Sequence, residues 1–158
     1  MIKKDNKNGK KISIFIISNN KSLTKKIKKK LNEYKYKTKT FTSGKSIIDY
    51  CYKVDSCFLI IDYHLNDITT KKLISTLKAI GCNKPFIIII NQNDMNEINN
   101  IYHLGAKDYI INNSQFIDLI PNIINREVNN LLNKNKLFKP EKSFHKNQKN
   151  FSKIKYSS

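Results

Sequence analysis

Arginine is nearly missing from this chain: of 30 basic residues only Arg126 is arginine, and alanine occurs only at Ala79 and Ala106. Recognition of phosphates and base edges favours the arginine fork. A net charge of +18 and a pI near 9.8 therefore do not by themselves mark a nucleic-acid reader. Lysine, isoleucine and asparagine fill 77 of 158 positions, the skew that an AT-rich genome imposes through its codons. Four glycines and three prolines are too few for a collagen-like or Pro/Gly low-complexity chain. Three cysteines, Cys51, Cys57 and Cys82, make no C-x-x-C pair and are odd in number, so neither a zinc site nor a disulfide framework is expected. The expectation is a reducing, cytoplasmic setting. No apolar run nears the ~18 residues of a membrane span. The basic start from Lys3 to Lys11 leads into an apolar run, Ile12 to Ile17, that Ser13 interrupts, too short for a secretory core and with no small-residue cleavage site after it.

A length of 158 residues suits one domain, or one domain with a tail. Composition divides it in three. Residues 1–10 are polar with net charge +3, residues 11–132 carry every long apolar run at net +8, and residues 133–158 hold eight lysines and one glutamate, net +7. Both ends lack the apolar periodicity that offsets ordering entropy, and are read as mobile. The tail sets Phe138, Phe144, Phe151 and Tyr156 among its lysines, a pattern compatible with weak, non-specific contact to single-stranded nucleic acid and equally with a compositionally biased, unstructured end.

Within 11–132 two periods alternate. Ile12 to Ile17, Phe58 to Ile61 and Phe86 to Ile90 are short, nearly continuous apolar runs, as expected of strands covered on both faces. Tyr36 to Phe41 and Tyr109 to Ile111 are weaker strand candidates. Helical spacing links Leu23, Ile27 and Leu31; Leu73, Ile74, Leu77 and Ile80; Ile98 and Tyr102; and Leu119, Ile120, Ile124, Val128 and Leu131. A shorter helix is expected over Ile47, Ile48 and Cys51. Asp118 is the expected cap of the last helix, which places Pro121 in its first turn. Five strands alternating with five helices predict an α/β fold, a flavodoxin-like, doubly wound five-stranded parallel sheet of (βα)5 architecture.

In such sheets chemistry gathers beyond the carboxyl ends of the strands. No glycine-rich phosphate loop follows the first strand, where Ser18, Asn19 and Asn20 stand. A single carboxylate, Asp62, closes the third apolar run. His64, His103 and His145 are scattered and suggest no site, and the lysines from Lys25 to Lys30 fall on a helix whose other face is apolar, a solvated face.

The segment from Phe58 to Asp67, the run from Pro85 to Asp94, the stretch from Leu104 through Gly105, Ala106 and Tyr109 to Asn112, and Thr42-Ser-Gly44-Lys ahead of them stand at spacings that resemble the receiver domain of two-component response regulators, the CheY-like superfamily. Cys57 before the acceptor strand and the proline-led fourth strand are most similar to the FixJ-type branch. The resemblance spans about residues 11–132. It implies that the phosphoacceptor position is Asp62. It also implies that the metal-holding acidic pair falls on Ser18 and Asn19, the phosphate-binding Thr or Ser on Ile90, the aromatic switch on Tyr109, the lysine after the fifth strand on Asn112 and the following proline on Asn113. The aspartate and the aromatic are retained; the acidic pair, the hydroxyl and the lysine are replaced.

Mg²⁺ takes hard oxygen ligands, usually with one or two carboxylates, and Asp62 alone remains, with Asp67 or Asp94 as conceivable substitutes. The expectation is a stand-alone, non-enzymatic pseudo-receiver that signals through a protein partner, a histidine kinase or a downstream protein, without a cofactor. The alternative is a single-domain response regulator phosphorylated on Asp62 in a phosphorelay, with Mg²⁺. A second alternative is a nucleic-acid-associated protein using its basic tail. No recognition helix follows the receiver-like segment.

Overall fold

The computed structural model describes residues 12–91 and 95–138; the expectations for 1–10, for Asp94 and for the tail beyond Phe138 lie outside the described residues. Ten elements alternate strictly: β1 (Ser13–Ile17), α1 (Lys21–Glu33), β2 (Lys37–Phe41), α2 (Gly44–Cys51), β3 (Cys57–Asp62), α3 (Thr70–Ala79), β4 (Phe86–Ile90), α4 (Met95–His103), β5 (Asp108–Ile111) and α5 (Phe116–Phe138). All strand pairs are parallel, in the order β2-β1-β3-β4-β5. The five-stranded doubly wound sheet expected from the alternation is present.

Period-two alternation sorts the buried strand residues onto two faces. Phe15, Ile17, Leu59, Ile61, Ile88 and Ile90 join one cluster with Ile47, Leu73, Leu77, Ile98 and Ile101 of α2, α3 and α4. Ile14, Ile16, Phe58, Ile60, Ile87 and Ile89 are also buried and face the other way, toward α1 and α5. Those two helices are neighbours: Lys30 Nζ lies 3.1 Å from Asp118 Oδ1, and Tyr36 Oη donates to Asn125 Oδ1 at 3.3 Å. The helical spacing of Leu23, Ile27 and Leu31 holds, all three buried on α1. The spacing also assigns Ile80, Tyr102 and Leu119 to apolar faces, yet each is about half exposed.

Two local expectations are corrected. α5 begins at Phe116, not after Asp118: Asn113 Oδ1 accepts from the Gln115 amide at 2.9 Å, its turn starts the helix earlier, and Phe116 is buried. Asp118 therefore sits in the first turn rather than at the cap, and Pro121 stands inside the helix, where its missing N–H leaves one helical carbonyl without its usual donor. The helix also runs past residue 132 to Phe138. The second correction concerns cysteine. Cys51, at the end of α2, and Cys82, after α3, form a disulfide with Cα atoms 6.5 Å apart, and only Cys57 is free. The 31 residues between the paired cysteines hide the contact from any spacing rule.

By contact density the chain forms two units, Met1–Glu127 and Val128–Ser158. The first contains the whole sheet and the elements discussed below. Of the second, the described part is the later portion of α5. No helix among the described residues is long and apolar enough to cross a membrane.

Candidate functional site at the carboxyl rim of the sheet

β1 and β3 pair side by side, with Ile17 opposite Ile61, so the residues that end these strands come together. Ser18 Oγ donates to Asp62 Oδ2 at 2.7 Å, and both side chains are buried. The other carboxylate oxygen, Asp62 Oδ1, accepts from the His64 amide at 3.2 Å. Ser18 Oγ in turn accepts from the Asn20 amide at 3.0 Å. The Asn20 side chain points away from this pair, and its Oδ1 takes the Leu23 amide at 3.1 Å to cap α1, a standard use of asparagine at a helix start. Among the described residues Asn19 Oδ1 is buried with no hydrogen-bond partner.

On the other flank, β4 ends in Ile90, which is fully buried within the apolar cluster. An isoleucine here has no hydrogen to give an oxyanion. The next residue, Asn91, accepts from Asn112 Nδ2 at 3.3 Å, and the Asn112 amide donates to Ile90 O at 2.7 Å. A carboxamide pair thus bridges the ends of β4 and β5. Asn113 is used in the turn that starts α5.

Tyr109 is half-buried on β5 and packs against the cluster that contains Ile90. Its ring meets Tyr102 of α4 edge-on, with centroids 5.8 Å apart. Its neighbour Asp108 accepts from the Tyr109 amide at 2.8 Å, and Asp108 Oδ2 pairs with Arg126 at 2.6 Å. That ion pair, which raises the Arg126 pKa chiefly through the hydrogen bond to Asp108, is not legible in the sequence; the single arginine of the chain is its only signal.

Asp67, considered above as a substitute metal ligand, is placed elsewhere. Its oxygens accept from the Gly44 and Lys45 amides at 3.0 and 2.9 Å, at the start of α2. Partial desolvation opposes its ionisation, but the Lys45 and Gly44 amides outweigh that and hold its carboxyl below the ordinary value. This explains the Ser43-Gly44 motif. Ser43 caps the helix by accepting from Ser46, and a Cβ at Gly44 would collide with Ile68 Cγ2. Gly105, before β5, has φ +94, a conformation suited to glycine.

The rim therefore holds one carboxylate saturated by a hydroxyl and an amide, two asparagines facing each other, and an apolar residue between them. Among the described residues no three His, Cys, Asp or Glu side chains converge. Among the described residues the donor set does not fit Mg²⁺: Asp62 is the one anion there, and Ser18 and Asn19, where the acidic pair is expected, are neutral, with Ser18 already donating its hydrogen. Acyl-phosphate chemistry needs charge neutralised on the transferred group, and nothing cationic stands at Asn112.

The chain matches the family described as "Response regulator receiver domain" over residues 14–124. No curated protein matches it in sequence. Among solved structures it is similar to FixJ-N, with 20% identity, TM-score 0.67 and coverage of 73% of this chain and 91% of that one. It is also similar to chemotaxis protein CheY4 of Vibrio cholerae, with 11% identity, TM-score 0.65 and coverage of 73% and 97%. The receiver domain of the Francisella response regulator 1452 gives 20% identity, TM-score 0.64 and coverage of 74% and 94%. At these identities the structural likeness speaks for the fold.

Proposed function

The chain belongs to the response regulator receiver domain family, and from that premise we propose that it is a pseudo-receiver: a signalling module that works by protein–protein contact, with phosphorylation at Asp62 lost or strongly slowed. The observation that carries this reading is the Ser18 Oγ to Asp62 Oδ2 hydrogen bond. A neutral donor occupies the place where the resemblance puts a metal-holding carboxylate. If one electrostatic partner is worth about 2.7–4 kcal/mol, its loss slows transfer by roughly 10²–10³, and here the acidic pair, the hydroxyl at Ile90 and the ammonium at Asn112 are all replaced.

The switching step is affected as well. With no hydroxyl at Ile90, a phosphate has nothing there to draw inward, and a ligand shifts an equilibrium only through differential contacts. Tyr109, wedged between Tyr102 and the apolar cluster, then keeps one position. The partner surface of this reading is the face of α4 and β5 around Tyr109, where Met95 and Tyr102 are exposed on α4. Cytoplasmic residence belongs to the same proposal. A cytosolic thiol pool keeps disulfides reduced, so in that compartment Cys51 and Cys82 are thiols held within bonding reach.

One observation favours the alternative of a working regulator phosphorylated on Asp62: among the described residues the buried Asn19 Oδ1 is an acceptor without a donor. Incubation with acetyl phosphate and Mg²⁺, followed by intact-mass measurement, separates the two. The expected result is no phosphate-sized adduct on the native chain and an adduct on the Ser18→Asp/Asn19→Asp variant. An adduct on the native chain that Asp62→Ala abolishes overturns the pseudo-receiver reading.

A further inference from the structure

Codon drift explains how much lysine the chain contains but not where it stands. Over residues 12–41, which form β1, α1 and β2, there are nine lysines, three asparagines and one acidic residue, Glu33. Over residues 86–127, from β4 into α5, there are one lysine, one arginine, nine asparagines and five acidic residues. Lysine and asparagine are equally cheap under an AT-rich codon supply, yet lysine is the polar choice on one side of the sheet and asparagine on the other. The contrast is sharpest at Lys35, which adopts φ 66 in the turn between α1 and β2. That region favours glycine or asparagine, and the chain keeps a lysine there.

These lysines stand on both sides of one edge of the sheet: α1 covers one face, and Lys37 and Lys39 share the other with Phe15 and α2. α1 buries Leu23, Ile27 and Leu31 and exposes Lys21, Lys25, Lys26, Lys28 and Lys29. β2 is an edge strand joined to α1 by the Thr38 to Asn32 hydrogen bond, and it exposes Lys37 and Lys39. Aromatic rings stand among the charges. Tyr34, in the α1–β2 turn, is 54% exposed, and Tyr52, at the end of α2, is 66% exposed. Lys39 Nζ sits 4.3 Å above the Tyr50 ring and Lys53 Nζ 5.8 Å above that of Tyr52. Because α1 and α2 both run antiparallel to the strands, Tyr34 and Tyr52 lie at the amino end of the sheet, opposite the Asp62 rim.

We infer that this edge of the domain, from α1 around β2 to the end of α2, binds single-stranded nucleic acid without regard to sequence. Lysines supply charge for phosphates, the exposed tyrosines supply stacking platforms that accept any base, and the absence of arginine from this edge removes the bidentate contacts that read base identity. Lysines on an edge strand also deter strand-to-strand aggregation, but that does not account for those on α1 or for the exposed rings. A bilayer surface fits less well, since every large apolar residue of α1 is buried and none is left to insert. A second copy of this chain fits less well too: Asp108, Asp118 and Glu127 on the acidic side already pair with Arg126 and Lys30. The inference is independent of the state of Asp62, whose carboxylate is bonded to Ser18 and the His64 amide and to no residue of this surface.

Fluorescence anisotropy of the full chain with a labelled oligothymidylate of about 20 nucleotides, longer than a typical 4–16-nucleotide site, tests it. With a slope of about −0.7 per phosphate and four phosphates engaged, affinity falls roughly 50-fold between about 50 and 200 mM salt. Lys25→Glu/Lys28→Glu weakens binding and reduces the salt slope by about 1.4. Tyr34→Ala/Tyr52→Ala weakens it at least about 30-fold at an unchanged slope. A control reversal on the exposed start of α3, Lys71→Glu/Lys72→Glu, changes affinity by less than about twofold, being separated from this edge and screened by salt. Urea midpoints within error of the native chain establish that each variant is folded. The inference is overturned if the α1 variant binds like the control or if the tyrosine variant binds like the native chain. It is equally overturned if phosphatidylserine vesicles or polyglutamate displace the oligonucleotide at matched charge concentration.

Discussion

Along β3 and β4 every residue is buried, and all but Asp62 are apolar; in the loops just beyond those strands, residues are polar and, against the family pattern, largely exchanged. The interior answers to volume and hydrophobicity, so isoleucine in long runs serves as well as any other mixture, and the fold survives at 20% identity or less to its solved neighbours. The rim answers to particular atoms. Ser18 donates a hydrogen bond to Asp62 that an ionised carboxylate at that position could not supply. Different residues and different forces thus sustain the scaffold and the rim.

Several substitutions probe that separation, beginning with the interior. Phe58→Ala removes a fully buried ring from β3 and is expected to cost about 3–5 kcal/mol, read as a large drop in the urea midpoint; a loss under about 1 kcal/mol would mean that the interior is not the rigid half. Reducing the Cys51–Cys82 disulfide, which closes a loop with sequence separation 31, should cost about 3–4 kcal/mol on the loop-entropy account. Thermal melting with and without reductant, with Cys51→Ser as reference, checks it. Asp67→Ala removes the acceptor of two amides at the start of α2 and should cost about 1 kcal/mol without altering the mass-spectrometric outcome with acetyl phosphate, since Asp67 is engaged away from Asp62.

The smallest effect at neutral pH concerns Cys57, whose thiol burial pushes up from 9.0 to about 11. The folded state keeps the proton while the unfolded chain begins to lose it above pH 9, so stability falls as pH rises from about 9 to 11, and is unaffected below. Cys57 should resist iodoacetamide at pH 8 in the folded chain and react once unfolded. Rapid alkylation of the folded protein at that pH would place the residue outside the sealed interior.

Some of the candidate site was readable from residue identity alone. Asp62 ends an apolar run, and Ile90 cannot donate a hydrogen bond whatever surrounds it. Other features depended on partners distant in the chain. Nothing in sequence ties Asp67 to the Gly44 amide that it accepts from, and nothing near Asp118 shows that the Asn113 turn starts the helix ahead of it. The cysteines looked unrelated because parity and spacing do not encode adjacency.

Sequence by itself determined the alternation of elements, the two apolar faces of the sheet and the uncharged side chains at positions 18, 19 and 112, since side-chain chemistry and periods of 2 and 3.6 are properties of near neighbours. Tertiary structure decided that Ser18 bonds Asp62 across 44 residues, that Cys51 meets Cys82, and that the lysines of α1 and β2 come to one edge of the sheet. Those pairings follow from strand order and crossover paths, and they arise only when distant segments of the chain are packed against one another.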